Sequence, residues 1–119
     1  MCGIAGFYSS RRNYTGEEGR WRAVLEKMNR VQKRRGPDEE GKFLCAHCGL
    51  AHVRLSIIDL HRGRQPMTRT WRGKTCTVSF NGEIYNMPEL RRELEQEGAV
   101  FESDSDTEVI IQGYLLHGE

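Results

Sequence analysis

The chain opens with Met1-Cys2-Gly3-Ile4-Ala5-Gly6-Phe7, an apolar stretch that predicts a β-strand with a cysteine just before it. Removal of Met1 would give Cys2 both a thiol and a free α-amine. The reference pKa of an α-amine is about 7.7–8.0, so near neutral pH this amine can accept the proton of the thiol. The stretch therefore predicts a strand, and a terminal Cys2 would combine a nucleophile with its base. By itself, a cysteine at the second position is more often an ordinary packing residue.

A helix is predicted after this strand. Thr15 to Glu18 is typical of a capping box with Thr15 as the cap, and Gly36-Pro37 ends the helix after a basic stretch. Apolar side chains recur between these limits at helical spacing, so we expect them to form the buried face. They are Trp21, Val24, Leu25, Met28 and Val31.

Strands are predicted in the middle of the chain. Gly41 to Ile58 is rich in apolar and β-branched residues and predicts two strands or one bent hairpin, broken at Gly49. His61 to Gly73 combines glycine, proline and basic residues and predicts a loop. Thr75 to Phe80 alternates as a strand, and the Asn81-Gly82 pair that follows it is a strong hairpin signal.

Two further helices are predicted in the last third of the chain. Asn86 to Glu89 begins one of them, with a proline in its first turn, and Gly98 ends it. Val100-Phe101 suggests a short strand, and Ser105 to Glu108 is typical of a capping box that opens the last helix. Antiparallel strands interleaved with helices predict an α+β fold. No strand is predicted after the last helix, so we expect the fold to be truncated.

The composition argues against several classes of partner. A chain of 119 residues with a formal net charge of +1 suits one domain and gives no reason to expect a nucleic acid or a membrane as partner. It contains no apolar run long enough to span a bilayer and no secretory signal. We expect a cytoplasmic protein in which the four cysteines are reduced.

Six segments, spread over almost the whole chain, together carry a resemblance to a known family. They are Met1 to Gly6, Arg35 to Asp38 with Gly41, Arg54 to Leu60, Gly63 to Met67, Phe80 to Asn86 and Ser105 to Glu108. In this order they resemble the glutaminase domain of class II glutamine amidotransferases, which are N-terminal-nucleophile hydrolases. The resemblance is greatest to the glutamine-hydrolysing asparagine synthetase group.

The resemblance implies a fold in which two antiparallel sheets pack face to face with helices outside, an αββα sandwich. Residues 1–119 would form the N-terminal part of such a glutaminase domain, and the synthetase domain of the family is absent from the sequence. Arg34 departs from the family pattern, because the family usually has histidine before Arg-Gly-Pro-Asp.

The resemblance also implies a reaction, the hydrolysis of glutamine to glutamate and ammonia through a thioester on Cys2. The side-chain amide of Asn81 and the backbone N–H of Gly82 would form the oxyanion hole, so the predicted catalytic residues are these two and Cys2. From pattern alone, Asn81-Gly82 is also compatible with an ordinary turn.

The substrate-binding residues are implied in the same way. Arg54 would bind the α-carboxylate of glutamine through two parallel hydrogen bonds, and Asp106, with Glu83, would bind the α-ammonium. Asp106 also suits the first turn of a helix for electrostatic reasons alone. The implied set is Arg54, Leu55, Ser56, Ile57, Ile58, Asn81, Gly82, Glu83 and Asp106.

Two other segments attract a functional interpretation. Arg35 to Asp38 is expected near the glutamine pocket, as a lid or only as a helix stop. Cys45-Ala46-His47-Cys48 contains a single C-x-x-C spacing, with His52 and Cys76 as further candidate zinc ligands. If this stretch is a strand, the two cysteines point to opposite faces, so we expect packing residues and no metal.

The resemblance implies that the ammonia passes to an ATP-using synthetase domain that makes asparagine from aspartate. ATP and Mg²⁺ would then be bound by that absent domain, with no cofactor in these 119 residues. A homodimer is one assembly this implies. Two alternatives stay open: the glutaminase half of another class II amidotransferase, and a catalytically silent module that binds glutamine. The retained Cys2 argues against the second.

Overall fold

The first sheet contains three antiparallel strands. A computed structural model describes residues 2–55 and 63–118, and in it β1 (Gly3–Tyr8) and β2 (Glu39–Leu44) flank the central β3 (Cys48–Arg54). The two predicted strands are thus present, but the break between them lies at residues 45–47. Gly49 lies within β3, where a Cβ would come within 2.3 Å of the ring of Phe7. Gly49 therefore makes room for an aromatic side chain and does not break the strand.

Helix α1 (Glu18–Gln32) covers one face of this sheet. Trp21 packs against Phe7 and Tyr14, with ring centroids 4.6–5.3 Å apart within this cluster, and Leu25 is completely buried. The expected burial of Val31 is wrong, because its side chain is 87% exposed.

Polar residues take part of the buried face of α1 instead. Asn29 is fully buried, and its Nδ2 donates to the carbonyl of Gly41 at 3.1 Å.

The expected cap at Thr15 is also wrong. A 3₁₀ turn over Tyr14–Glu17 precedes the helix, and the side chain of Asn13 accepts the N–H of Thr15. Asparagine is an equally good cap in this position, so the pattern misplaced the helix start by a short turn.

The second sheet is a hairpin of β4 (Met67–Trp71) and β5 (Lys74–Val78). The loop predicted over His61 to Gly73 is therefore wrong in its second half, and its residues 61–62 lie outside the described residues. Arg72 (φ 47°) and Gly73 (φ 77°) form the turn, as the positive φ values of a two-residue hairpin require. Asn81-Gly82 is not that turn, because no described strand follows it.

One helix packs on the second sheet, and another helix packs on that first helix. Helix α3 (Asp106–His117) covers the sheet through a cluster that contains Met67, Ile111 and Leu115. Helix α2 (Met87–Gln96) packs on α3 and ends before Gly98, as predicted. Residues 100–101 are not a strand.

The predicted α+β class with two antiparallel sheets is confirmed. None of the helices within residues 2–55 and 63–118 has the length and hydropathy that a membrane crossing requires.

Ser105 caps α3 as predicted, since its side chain accepts the N–H of Thr107. Glu108 does not complete the capping box. Its carboxylate is fully buried and accepts hydrogen bonds from the backbone of Glu102 and Ser103, and it pairs with Arg69. Burial alone would raise the pKa of Glu108, but these hydrogen bonds and the arginine charge outweigh it and lower the pKa.

Candidate active site

Cys2 lies immediately before β1, at the end of the first sheet where several chain segments meet. The antiparallel register pairs Gly3 with Val53, so Cys2 lies beside the end of β3 at Arg54. The carbonyl of Cys2 accepts two hydrogen bonds, from Asn81 Nδ2 at 3.1 Å and from Arg35 Nε at 3.4 Å. The proposed nucleophile is therefore fixed by two segments that are remote from it in sequence.

Asn81 and Gly82 follow the second sheet, and their segment crosses to Cys2. The nitrogen of an asparagine side chain carries two hydrogens, so one bond to the Cys2 carbonyl leaves a second N–H to donate. Gly82 is exposed, and a Cβ there would come within 2.8 Å of the ring of Phe80. The structure thus brings the predicted oxyanion donor to the predicted nucleophile.

Arg54 is mostly buried and lies against an acid that sequence reasoning missed. Its Nη1 is 3.3 Å from Oε2 of Glu39, and the two side chains are 16% and 17% exposed. Arg64 reaches the other oxygen of Glu39 at 2.8 Å. The pairing follows from the sheet register, which places Glu39 directly opposite Arg54. Glu39 is therefore one of the groups that orient the guanidinium.

Asp106 occupies the first turn of α3, and its Oδ2 accepts the backbone N–H of Ile84 at 3.1 Å. Glu83 precedes Ile84 and is exposed, so the two predicted ammonium-binding acids belong to neighbouring segments. Leu55 is 40% exposed, directly after β3. The other predicted substrate-binding residues, Ser56, Ile57 and Ile58, lie outside the described residues. The roles of all these residues stay predictions.

The segment from Arg35 to Asp38 lies along the backbone of Arg54. Pro37 forms an isolated parallel bridge with Arg54, and the N–H of Asp38 donates to its carbonyl at 3.1 Å. A Cβ on Gly36 would come within 2.5 Å of the Arg54 nitrogen. The expected position near the pocket fits this geometry, the role as a lid stays a prediction, and Arg34 is exposed.

The Cys45 to Cys48 stretch is a hairpin tip, which changes the argument about a metal. Cys45 lies outside the strand, and its N–H donates to the carbonyl of Cys48 at 2.8 Å. The stretch is not a continuous strand, so the condition for opposite faces is not met, and the two residues face each other across a turn. Burial and the neighbouring Cys45 raise the pKa of the Cys48 thiol. In the described part of the chain, no three His, Cys, Asp or Glu side chains form a group that could hold a metal ion.

A comparison with protein families matches residues 1–119 to the glutamine amidotransferase domain. Similar curated proteins are glutamine-hydrolysing asparagine synthetases. Asparagine synthetase 3 of Bacillus subtilis is 37% identical over 115 residues, and asparagine synthetase 1 of the same organism is 40% identical over 119 residues. The asparagine synthetase of Sandersonia aurantiaca is 43% identical over 119 residues.

These alignments cover nearly all of this chain but a small part of each relative. They include 97–100% of the chain and 18–21% of the length of these three relatives. The chain therefore spans about a fifth of the curated proteins that it matches. What the comparison supports directly is the domain type.

Proposed function

This chain belongs to the glutamine amidotransferase domain family, and from that membership we propose that it hydrolyses glutamine through a thioester on Cys2. The thiolate attacks the carbon of the side-chain amide, and the α-amine of Cys2 carries the thiol proton to the departing ammonia. Water then cleaves the thioester, releases glutamate and restores the thiol. This mechanism requires that Cys2 be the first residue of the active protein.

The observation that carries the proposal is the hydrogen bond from Asn81 Nδ2 to the Cys2 carbonyl at 3.1 Å, between residues 79 positions apart. It holds an amide donor beside the residue at which the anion would form. Fixed donors stabilise a developing oxyanion more than they stabilise the neutral carbonyl of the substrate. Arg54 and Asp106 would bind the two charged groups of glutamine, which identify it as an amino acid.

The destination of the ammonia is a further part of the proposal. The relatives are named as glutamine-hydrolysing asparagine synthetases, and this supports transfer of ammonia to a synthetase domain that makes asparagine from aspartate. ATP and Mg²⁺ would be bound by that domain, outside these 119 residues. Production of asparagine from glutamine, aspartate and ATP by the complete gene product distinguishes this acceptor from the sugar or nucleotide acceptors of other amidotransferases.

Replacement of the nucleophile tests the reaction. Cys2→Ala should lower kcat for glutamine hydrolysis by a factor on the order of 10³ or more, as loss of a nucleophile does in other enzymes, while glutamine still binds. Cys48→Ala is a matched control, because Cys48 pairs with Tyr8 at the far end of β1. Undiminished hydrolysis by Cys2→Ala, or full activity with Met1 still attached in an intact-mass measurement, would contradict the mechanism.

A further inference from the structure

Gln65 connects two parts of the candidate site with one side chain. Its Oε1 accepts the backbone N–H of Phe80 at 2.5 Å, and its Nε2 donates to Oγ1 of Thr107 at 3.1 Å. Phe80 directly precedes Asn81, and Thr107 directly follows Asp106. We propose that Gln65 is a positioning residue that holds the oxyanion donors at a fixed distance from the ammonium-binding acid. This inference rests on the proposed function.

The backbone of Gln65 is itself held in place from the first sheet. A Cβ on Gly41 in β2 would lie only 1.7 Å from the carbonyl oxygen of Gln65, so the two backbones are in direct contact. The carbonyl of Gly41 in turn accepts the side chain of the buried Asn29. The backbone of Gln65 therefore contacts the first sheet, and its side-chain amide points to Phe80 and Thr107.

The segment that leads into Gln65 also passes through the site. At Gly63, a Cβ would lie 3.1 Å from Oγ of Ser105 and 3.6 Å from Nη2 of Arg54. The segment thus lies between the proposed carboxylate-binding arginine and the N-cap of α3. Both ends of the Gln65 amide are already bonded to protein, so its contribution to the reaction would be indirect.

The contacts of Gln65 predict an effect on kcat more than on KM. Strand β5 ends at Val78, and the Phe80 N–H bond to Gln65 is one of the bonds that hold the segment leading to Asn81. The recognition residues have other anchors, because Arg54 pairs with Glu39 and Asp106 belongs to the first turn of α3. Loss of the Gln65 amide should therefore misplace the oxyanion donors while glutamine still binds.

Steady-state kinetics of glutamine hydrolysis by the protein expressed from the complete gene test this role. Gln65→Ala should lower kcat by about 10- to 100-fold, less than outright removal of an oxyanion donor, with KM changed by less than about threefold. Gln65→Glu should recover most of the loss, because one carboxylate oxygen accepts the Phe80 N–H and the other accepts the Thr107 hydroxyl. Gln65→Met, which keeps the length without the amide, replaces the alanine variant if that variant does not fold.

Gln112 supplies the matched control. It is 4% exposed and its Nε2 donates to the carbonyl of Val100 at 3.1 Å, away from the residues assigned to the site. Gln112→Ala should leave kcat within about twofold of the wild type. A kcat for Gln65→Ala within twofold of the wild type, or equal losses in Gln65→Ala and Gln112→Ala, would overturn the role of Gln65.

A labelling experiment separates this inference from the function on which it rests. A glutamine analogue with a chloromethyl ketone in place of the amide should alkylate the Cys2 thiol of the wild type with loss of chloride, as detected by peptide mass spectrometry. A wild type that neither hydrolyses glutamine nor labels at Cys2 overturns the proposed function, and the role of Gln65 with it. An active, labelled wild type with an unaffected Gln65→Ala variant overturns the role of Gln65 alone.

Discussion

Protonation of His52 should destabilise the folded protein below neutral pH. The imidazole is 1% exposed and its Nδ1 lies 2.8 Å from Oγ of Ser79. Its Nε2 has no hydrogen-bond partner among the residues that the structure describes. Burial, with a smaller contribution from the charge of Arg54, lowers the pKa of His52 from 6.5 to about 4, although Glu39 acts in the opposite direction.

The size of the effect follows from linkage between folding and protonation. Well above pH 6.5 both states hold a neutral imidazole, so protonation of His52 does not change the stability there. As the pH falls, the unfolded chain binds the proton first, and stability is lost until the folded protein binds it too, near pH 4. With 1.36 kcal/mol for each pH unit between the two pKa values, the complete loss is about 3 kcal/mol. At pH 5 the same relation gives about 2 kcal/mol.

Urea unfolding at pH 7 and pH 5, followed by tryptophan fluorescence, measures this loss. The range stays above the pH at which the lowered pKa of Glu108 takes effect. In His52→Gln the difference in unfolding free energy between the two pH values should shrink by about 2 kcal/mol. His47→Gln is the control, since His47 is exposed and should keep the wild-type pH dependence. Equal pH dependence in the wild type and His52→Gln would refute the reasoning.

Two further predictions use paired variants. Asn81→Ala should lower kcat about 10²- to 10³-fold with little change in KM, and Arg54→Ala should mainly raise KM, by about 10-fold or more, when steady-state hydrolysis is measured. The opposite pattern would reverse the two assigned roles. Leu25→Ala should lower the unfolding free energy in urea by about 3 kcal/mol, and Val31→Ala by less than about 0.5 kcal/mol. Equal losses would contradict the observed face of α1.

The sequence predicted helices better than strands, and the misses have physical causes. Apolar spacing located α1, but it could not show that Asn29 belongs to the buried face, because that burial depends on a hydrogen bond to Gly41 on another element. Gly63 and Pro66 predict a loop that extends over β4, whereas the residues from Met67 to Trp71 form a strand. Glycine and proline therefore predict the wrong structure where pairing with another strand determines it.

In the site, too, sequence motifs predict some residues, and contacts between distant segments show the others. Cys2, Asn81 and Asp106 were found through the resemblance, and the structure joins Asn81 to Cys2 and Asp106 to the segment after Asn81. Glu39 and Gln65 were missed as site residues. The available signals were the position of Glu39 after Arg-Gly-Pro-Asp and the place of Gln65 in a matched segment. Neither signal indicates which residue the side chain contacts, because Arg54 and Thr107 belong to other elements of the fold.

The described residues of the six matched segments, which look like unrelated local signals in the sequence, form one connected set of contacts. Arg35 contacts the N-terminal segment at the carbonyl of Cys2, and Gly41, in β2, contacts the backbone of Gln65. Gln65 then reaches the segments that contain Asn81 and Asp106, at Phe80 and Thr107. The local structure of a turn, a helix cap or a helix end would by itself permit other residues at these positions. Gly41 does not tolerate another residue, because any Cβ there would collide with the backbone carbonyl of Gln65. We therefore expect Gly41→Ala to reproduce the kinetic defect of Gln65→Ala, as it displaces the same amide from its other side.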